Sequence, residues 1–92
     1  MLPPEMIDAQ SRRVIVRRGA NLNVITEGVI RVTSSDPAVL RVSQPYTDGS
    51  ARFNAGGRAV ASGEATLCVF GSDDQELYRV DVIVGDHRTG AD

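Results

Sequence analysis

Residues 28–43, GVIRVTSSDPAVLRVS, hold two short runs of β-branched and aliphatic residues, 29–32 and 39–42, on either side of Thr33-Ser34-Ser35-Asp36-Pro37. Branched side chains pack well on a pleated surface, and the intervening residues favour turns, so the stretch reads as strand, turn, strand. Pro37 has no amide hydrogen to donate and pushes Asp36 out of the helical region, so backbone chemistry sets the break. Two strands this close in sequence need further strands to cover them, which commits the chain to a sheet protein.

The rest of the chain repeats the pattern. Arg13 to Arg18, RVIVRR, alternates Val14 and Val16 on one face with Arg13, Ile15 and Arg17 on the other. Gly19-Ala20-Asn21 turns the chain into a strand with Leu22, Val24 and Thr26 on one side, running to Glu27-Gly28. Residues 44–50, QPYTDGS, are dense in turn formers and contain the tight-turn pair Asp48-Gly49. Ala51-Arg52-Phe53 reads as a short strand, 54–57 as a turn, 58–61 as a weak strand and 65–70 as a strong one. Gly71-Ser72-Asp73-Asp74 closes a hairpin into 76–84, where Tyr78, Val80, Val82 and Val84 share a face. No segment keeps a helical period over the ten or so residues a stable helix needs. About eight short strands separated by turn signals predict an antiparallel sandwich or small barrel, and we expect the sandwich.

The chain has 92 residues, enough for one small domain with a single core. With four aromatic residues and no Trp, that core is aliphatic, and the expected inward positions are Val14, Val24, Ile30, Val32, Leu40, Val42, Leu67, Val69, Val80 and Val82. No apolar run approaches the length of a membrane-spanning helix. Residues 1–11, with Pro3-Pro4, read as an extended arm, 12–85 as the sandwich and 86–92 as a polar tail. The opening MLPPEMIDAQ has no basic segment followed by an apolar one, so no Sec-type signal peptide is visible; the expectation is an intracellularly made protein or one whose leader has been removed.

Little in the sequence points to catalysis. His87 is the single histidine and sits in the polar tail, where nothing preorganises a general base. Cys68 is the single cysteine, which excludes an internal disulfide and four-cysteine zinc sites, and it reads as a small buried strand residue. Neither Ser62 nor Cys68 lies in a G-x-S-x-G context. Asp73, Asp74 and Glu76, with Asp36 or Asp48, offer carboxylates for calcium, but their spacing does not match an EF-hand loop. Gly56, Gly57 and Gly63 form no phosphate-binding loop, and they read as positions of positive φ. We therefore expect no enzyme, no cofactor, no metal and no small-molecule substrate.

Charge is distributed unevenly. All ten basic residues are Arg, and Arg12, Arg13, Arg17 and Arg18 crowd the first strand, whereas the last quarter of the chain is acidic. The net charge of −2 speaks against a dedicated nucleic-acid binder, and no aromatic residues interleave the Arg cluster. These four Arg are the candidate partner-binding residues, toward phosphates, an acidic protein face or the acidic C-terminal half of another copy; a solvated edge strand whose charge blocks unwanted pairing is the alternative.

The segments TSSDPAVLRVS and DGSARFNAGGRAVASGEATLCVFG resemble group 2 bacterial immunoglobulin-like domains, with their Ser-Asp-Pro-like turn, paired valines and later A-x-G-x-A-x-L/I-x-V strand. The resemblance covers roughly residues 13–84, and Val32 stands where an aromatic often precedes the turn. The order RVIVRRG, GVIRVTSSDPAVLRVS, GRAVASGEATLCVFGSDDQELYRVDVIV is also similar to the N-terminal module of pilus-assembly secretins. Both resemblances imply an immunoglobulin-like or comparable β-rich building block without catalytic residues. The expectation is a non-catalytic structural or interaction module on a multi-copy assembly with protein partners. A phage virion protein, as capsid decoration or tail surface, stands first. A secretin-ring module and a cell-surface adhesin domain follow, with location in the periplasm or at the cell surface.

Overall fold

The computed structural model describes residues 5–49 and 51–85. One sheet has the strand order β1 (Glu5–Ile7), β3 (Asn21–Val24), β8 (Gly56–Ala59), β5 (Leu40–Ser43). The second runs β2 (Arg13–Arg17), β10 (Glu76–Gly85), β9 (Gly63–Phe70), β4 (Arg31–Ser34). β6 (Tyr46–Asp48) and β7 (Ala51–Phe53) form a separate two-stranded ribbon between β5 and β8. The two four-stranded sheets pack as a sandwich, and their order is immunoglobulin-like: β1, β3, β8, β5 stand where strands A, B, E and D stand, and β4, β9, β10 where C, F and G stand. β2 adds to G, and the ribbon is an insertion between D and E.

The sheets are mixed, which corrects the expectation of a purely antiparallel sandwich. β1 pairs parallel with β3, and β2 pairs parallel with β10. Both exceptions are entry strands that join partners further along the chain across a crossover, where a hairpin does not dictate direction. Between them the chain changes sheet through a tight turn in which the Ser11 amide donates to the Asp8 carbonyl (2.9 Å) and the Gln10 amide to Asp8 Oδ1 (2.9 Å).

The inner faces supply an aliphatic core. Ile7, Leu22, Val24, Leu40, Ala55 and Ala59 come from the first sheet and its connections, and Val16, Val32, Leu67, Val69, Val80, Val82 and Val84 from the second. Of the ten expected core residues, Val24, Val32, Leu40, Leu67, Val69, Val80 and Val82 are buried, and Val14 and Val42 pack partly buried against them. Ile30 is the correction: it has the strand parity of Val32, yet β4 begins only at Arg31, so Ile30 lies in the preceding loop and is 51% exposed. Val39 is buried beside Leu40, because the turn after Pro37 ends there with both amides donating to the Asp36 carbonyl at 2.9 Å.

Two boundaries differ from expectation. Within the expected arm of residues 1–11, Glu5–Ile7 is a sheet strand and Ile7 is fully buried; the adjacent pair Met6 and Ile7 carries no period to reveal this. Residues 54–57 are not simply a turn, since Gly56 and Gly57 open β8, a strand bonded on both sides. A Cβ on Gly56 would meet the Leu22 carbonyl oxygen at 2.5 Å, so the residue is there for close backbone approach. Gly56 and Gly57 thus do not serve the positive φ expected of them, while Gly63 does, at +145°. Residues 86–92, the expected tail with His87, lie outside the described residues, as do residues 1–4.

Candidate interaction surfaces

The Arg cluster lies on β2, an edge strand. Arg13 and Arg17 are its first and last residues, and Arg12 and Arg18 flank it; all four are exposed. Two hydrogen bonds fix which way the backbone faces. The Asp81 amide donates to the Arg12 carbonyl and the Arg18 amide to the Gly85 carbonyl, each at 3.0 Å, in a register that pairs Arg13 with Asp81 and Ile15 with Ile83. In a parallel ladder only alternate residues bond a given neighbour. The even-numbered residues of β2 therefore bond β10, and Arg13, Ile15 and Arg17 direct their amides and carbonyls to the open side. Among the described residues only the Arg17 carbonyl of this row is taken, by the Ala20 amide at 3.0 Å.

The same alternation sends the side chains of Arg13, Ile15 and Arg17 to the outer face, because Val14 and Val16 point inward. Ile15 is 74% exposed, the most exposed of the large apolar side chains among the described residues. Across the ladder Arg13 faces Asp81, whose Oδ1 accepts a long hydrogen bond from the Thr66 hydroxyl (3.4 Å); Arg17 faces Gly85 and so has no carboxylate opposite it. Of the four Arg expected on the first strand, Arg13 and Arg17 lie in it and form one row with Ile15, while Arg12 and Arg18 stand beyond its ends.

The opposite edge of the same sheet is capped at Val32. Beside β4, the Gln44 carboxamide accepts a hydrogen bond from the Val32 amide (3.0 Å) and donates one to the Val32 carbonyl (2.9 Å). A side-chain amide there imitates the peptide group of a further strand and ties the end of β5 to β4. Arg31 secures the same strand on its outer face, with its guanidinium over the Phe70 ring (4.2 Å to the centroid) and Nε on Asp74 Oδ1 (3.1 Å). Nothing in the sequence distinguished Gln44 from an ordinary polar loop residue.

A groove of about 690 Å³ opens at one end of the sandwich, between the β3–β4 loop and the β6–β7 ribbon. Tyr46 and Phe53 face each other across the ribbon with ring centroids 4.6 Å apart and planes 16° apart, and Ile25 and Ile30 border the groove from the loop. Behind the loop the hydroxyls of Thr26 and Tyr78 are 2.6 Å apart. Burial raises the Tyr78 pKa despite the opposing hydrogen bond to Thr26, with a smaller rise from Asp8, so the hydroxyl is held protonated and braces the loop against β10.

The acidic hairpin tip is engaged within the fold. Asp73 and Asp74 adopt φ of 60° and 56°, a left-handed conformation that Asp tolerates, and the Gly71 amide closes the tip on the Gln75 carbonyl at 2.8 Å. Asp74 pairs with Arg31, and Arg79 grips Glu76 through two bonds of 3.0 Å that hold its carboxyl below the ordinary range. Among the described residues no three carboxylate, His or Cys side chains converge in a way that would hold a metal. Cys68, expected to be buried, is only partly so: it takes the outward parity of β9, opposite Thr33 and Arg79.

The strand order and the two packed mixed sheets define an all-β sandwich. A solved structure of this shape is the solution structure of amebosin, which superposes with a TM-score of 0.57 over 90% of this chain and 99% of that one at 11% identity. At that identity the likeness is one of fold. No protein-family model matches the chain, and no curated protein matches it.

Proposed function

We propose that this protein is a non-catalytic interaction module carried in many copies on a larger assembly, docking through β2. The observation that carries the reading is the outer row of that strand, where Ile15, 74% exposed, stands between two exposed Arg. An apolar side chain left in water between two cations, on an edge whose counterpart is capped, suits a surface that a partner covers. The immunoglobulin-like sandwich and the resemblance to group 2 bacterial immunoglobulin-like domains support a building block. A phage virion, with the protein as capsid decoration or tail surface, is the assembly we favour; the likeness to secretin N-terminal modules supports a ring-forming version of the same role.

Changing Arg13 and Arg17 together to Glu tests it. Both side chains are exposed, and Arg13→Glu sets a second carboxylate opposite Asp81, so the unfolding free energy should fall by no more than about 1 kcal/mol. Co-sedimentation with the parent particle or ring should be lost. Deleting residues 1–11 is not an equivalent test, because it removes the buried Ile7. The adhesin reading draws support from the end groove with its Tyr46–Phe53 stack, and it predicts the reverse pattern: loss of binding for Tyr46→Ser with Phe53→Ser, and none for the Arg pair.

A further inference from the structure

Resting on that reading of β2 as the docking strand, we propose that its open edge accepts an extended acidic segment of another protein as a fifth strand of that sheet. The backbone offers the amides of Arg13, Ile15 and Arg17 and the carbonyls of Arg13 and Ile15, all directed away from β10 by the ladder parity. That is the donor and acceptor row an added strand needs. Side chains directly opposite one another on neighbouring strands share a face, so the incoming residue opposite Ile15 meets an apolar side chain and those opposite Arg13 and Arg17 meet guanidinium groups. The complementary segment has a carboxylate, an apolar residue and a second carboxylate at alternate positions. This pattern reads the same in either direction, so the side chains select composition and leave strand direction to the partner.

A second copy of β2 is a poor occupant. Antiparallel pairing centred on Ile15 sets Arg13 opposite Arg17, and in-register parallel pairing sets each Arg opposite itself; like charges directly opposite destabilise a ladder. In the ladder with β10, Arg13 has Asp81 opposite it and Arg17 has Gly85, so among the described residues Arg17 is the stronger anchor for an incoming carboxylate.

The probe is a synthetic peptide built on Glu-Thr-Val-Thr-Glu, followed by amide chemical shifts and amide exchange on the whole protein. Binding should slow exchange at Arg13, Ile15 and Arg17 and weaken as salt rises. Arg17→Glu should weaken it about tenfold or more. Ile15→Pro deletes an amide that bonds nothing among the described residues, a position where an edge strand tolerates proline, and should abolish binding in a protein that still folds. A peptide N-methylated at the ladder-facing amides should not bind. Equal binding of the methylated peptide, or of a peptide with Lys in place of Glu, overturns the proposal. So does the absence of any peptide binding by a protein whose Arg13/Arg17 variant is lost from the parent particle, and in that case the docking role of β2 stands. Retention of that variant at full occupancy overturns the docking role itself.

Discussion

Ile7→Ala tests whether the sandwich begins at β1 or, as the sequence suggests, only after residue 11. The side chain is fully buried, while its neighbour Met6 on the same three-residue strand is 50% exposed. Removing three buried carbons forfeits roughly 2.5 kcal/mol of transfer free energy, and the cavity left behind adds to it. A short edge strand can partly relax into the gap, so a loss of about 3 kcal/mol is expected. A domain of this size has total stability on the order of 5 to 10 kcal/mol, so the fold survives with its urea midpoint lowered by about 1.5 M and its slope unchanged. Met6→Ala should change stability by less than about 0.5 kcal/mol. Equilibrium urea unfolding of the two variants beside the parent protein gives the comparison. An Ile7→Ala loss no larger than that of Met6→Ala would show that β1 does not belong to the core, and deletion of residues 1–11 would then be harmless.

Gly56→Ala, which drives a methyl onto the Leu22 carbonyl, should cost about 2 kcal/mol or more in the same assay although Ala is the smallest change available. Gln44→Met keeps the bulk but removes both bonds to Val32; we expect a loss of about 1 to 2 kcal/mol together with concentration-dependent association measured by light scattering, because the β4 edge is uncovered. Pro37→Ala relaxes the unfolded chain more than it disturbs the turn, and should cost about 1 kcal/mol or less, well below any core truncation. Tyr78 has its pKa raised above the ordinary value of 10.0, so its contribution to stability is complete below that pH and declines as pH rises through the folded value; Tyr78→Phe should flatten this alkaline decline in thermal unfolding scans.

Where strands announce themselves through alternation, the sequence sufficed. Val14 and Val16, Leu22 and Val24, Leu67 and Val69, and Val80 and Val82 each sit two apart, with Ile15, Asn23, Cys68 and Asp81 between them on the other face, and all turn inward as read. The failures arise where tertiary contact overrides local pattern. Gly56 and Gly57 look like turn residues because glycine punctuates chains, yet here the missing side chain lets β8 pass against Leu22 and Leu40 in the middle of a sheet. Ile7 has no periodic neighbours, and Ile30 has the right parity but begins one residue too early to be covered. Charge crowding pointed to Arg12, Arg13, Arg17 and Arg18 from the start. Which of them share a face follows from period two, but that β2 forms an edge with its odd-numbered amides turned outward depends on pairing with β10, more than sixty residues away. Gln44 had no signal at all, since its role exists only once β5 lies beside β4.

Amide exchange along β2 in the isolated protein tests the open edge most directly. The amides of Val14, Val16 and Arg18 face β10 and should be protected, while those of Arg13, Ile15 and Arg17 should exchange at rates close to those of an unstructured chain. Uniform protection across all six would mean that the edge is already covered, and uniform fast exchange that β2 is not held on the sheet; either result would contradict an edge strand standing ready for a partner.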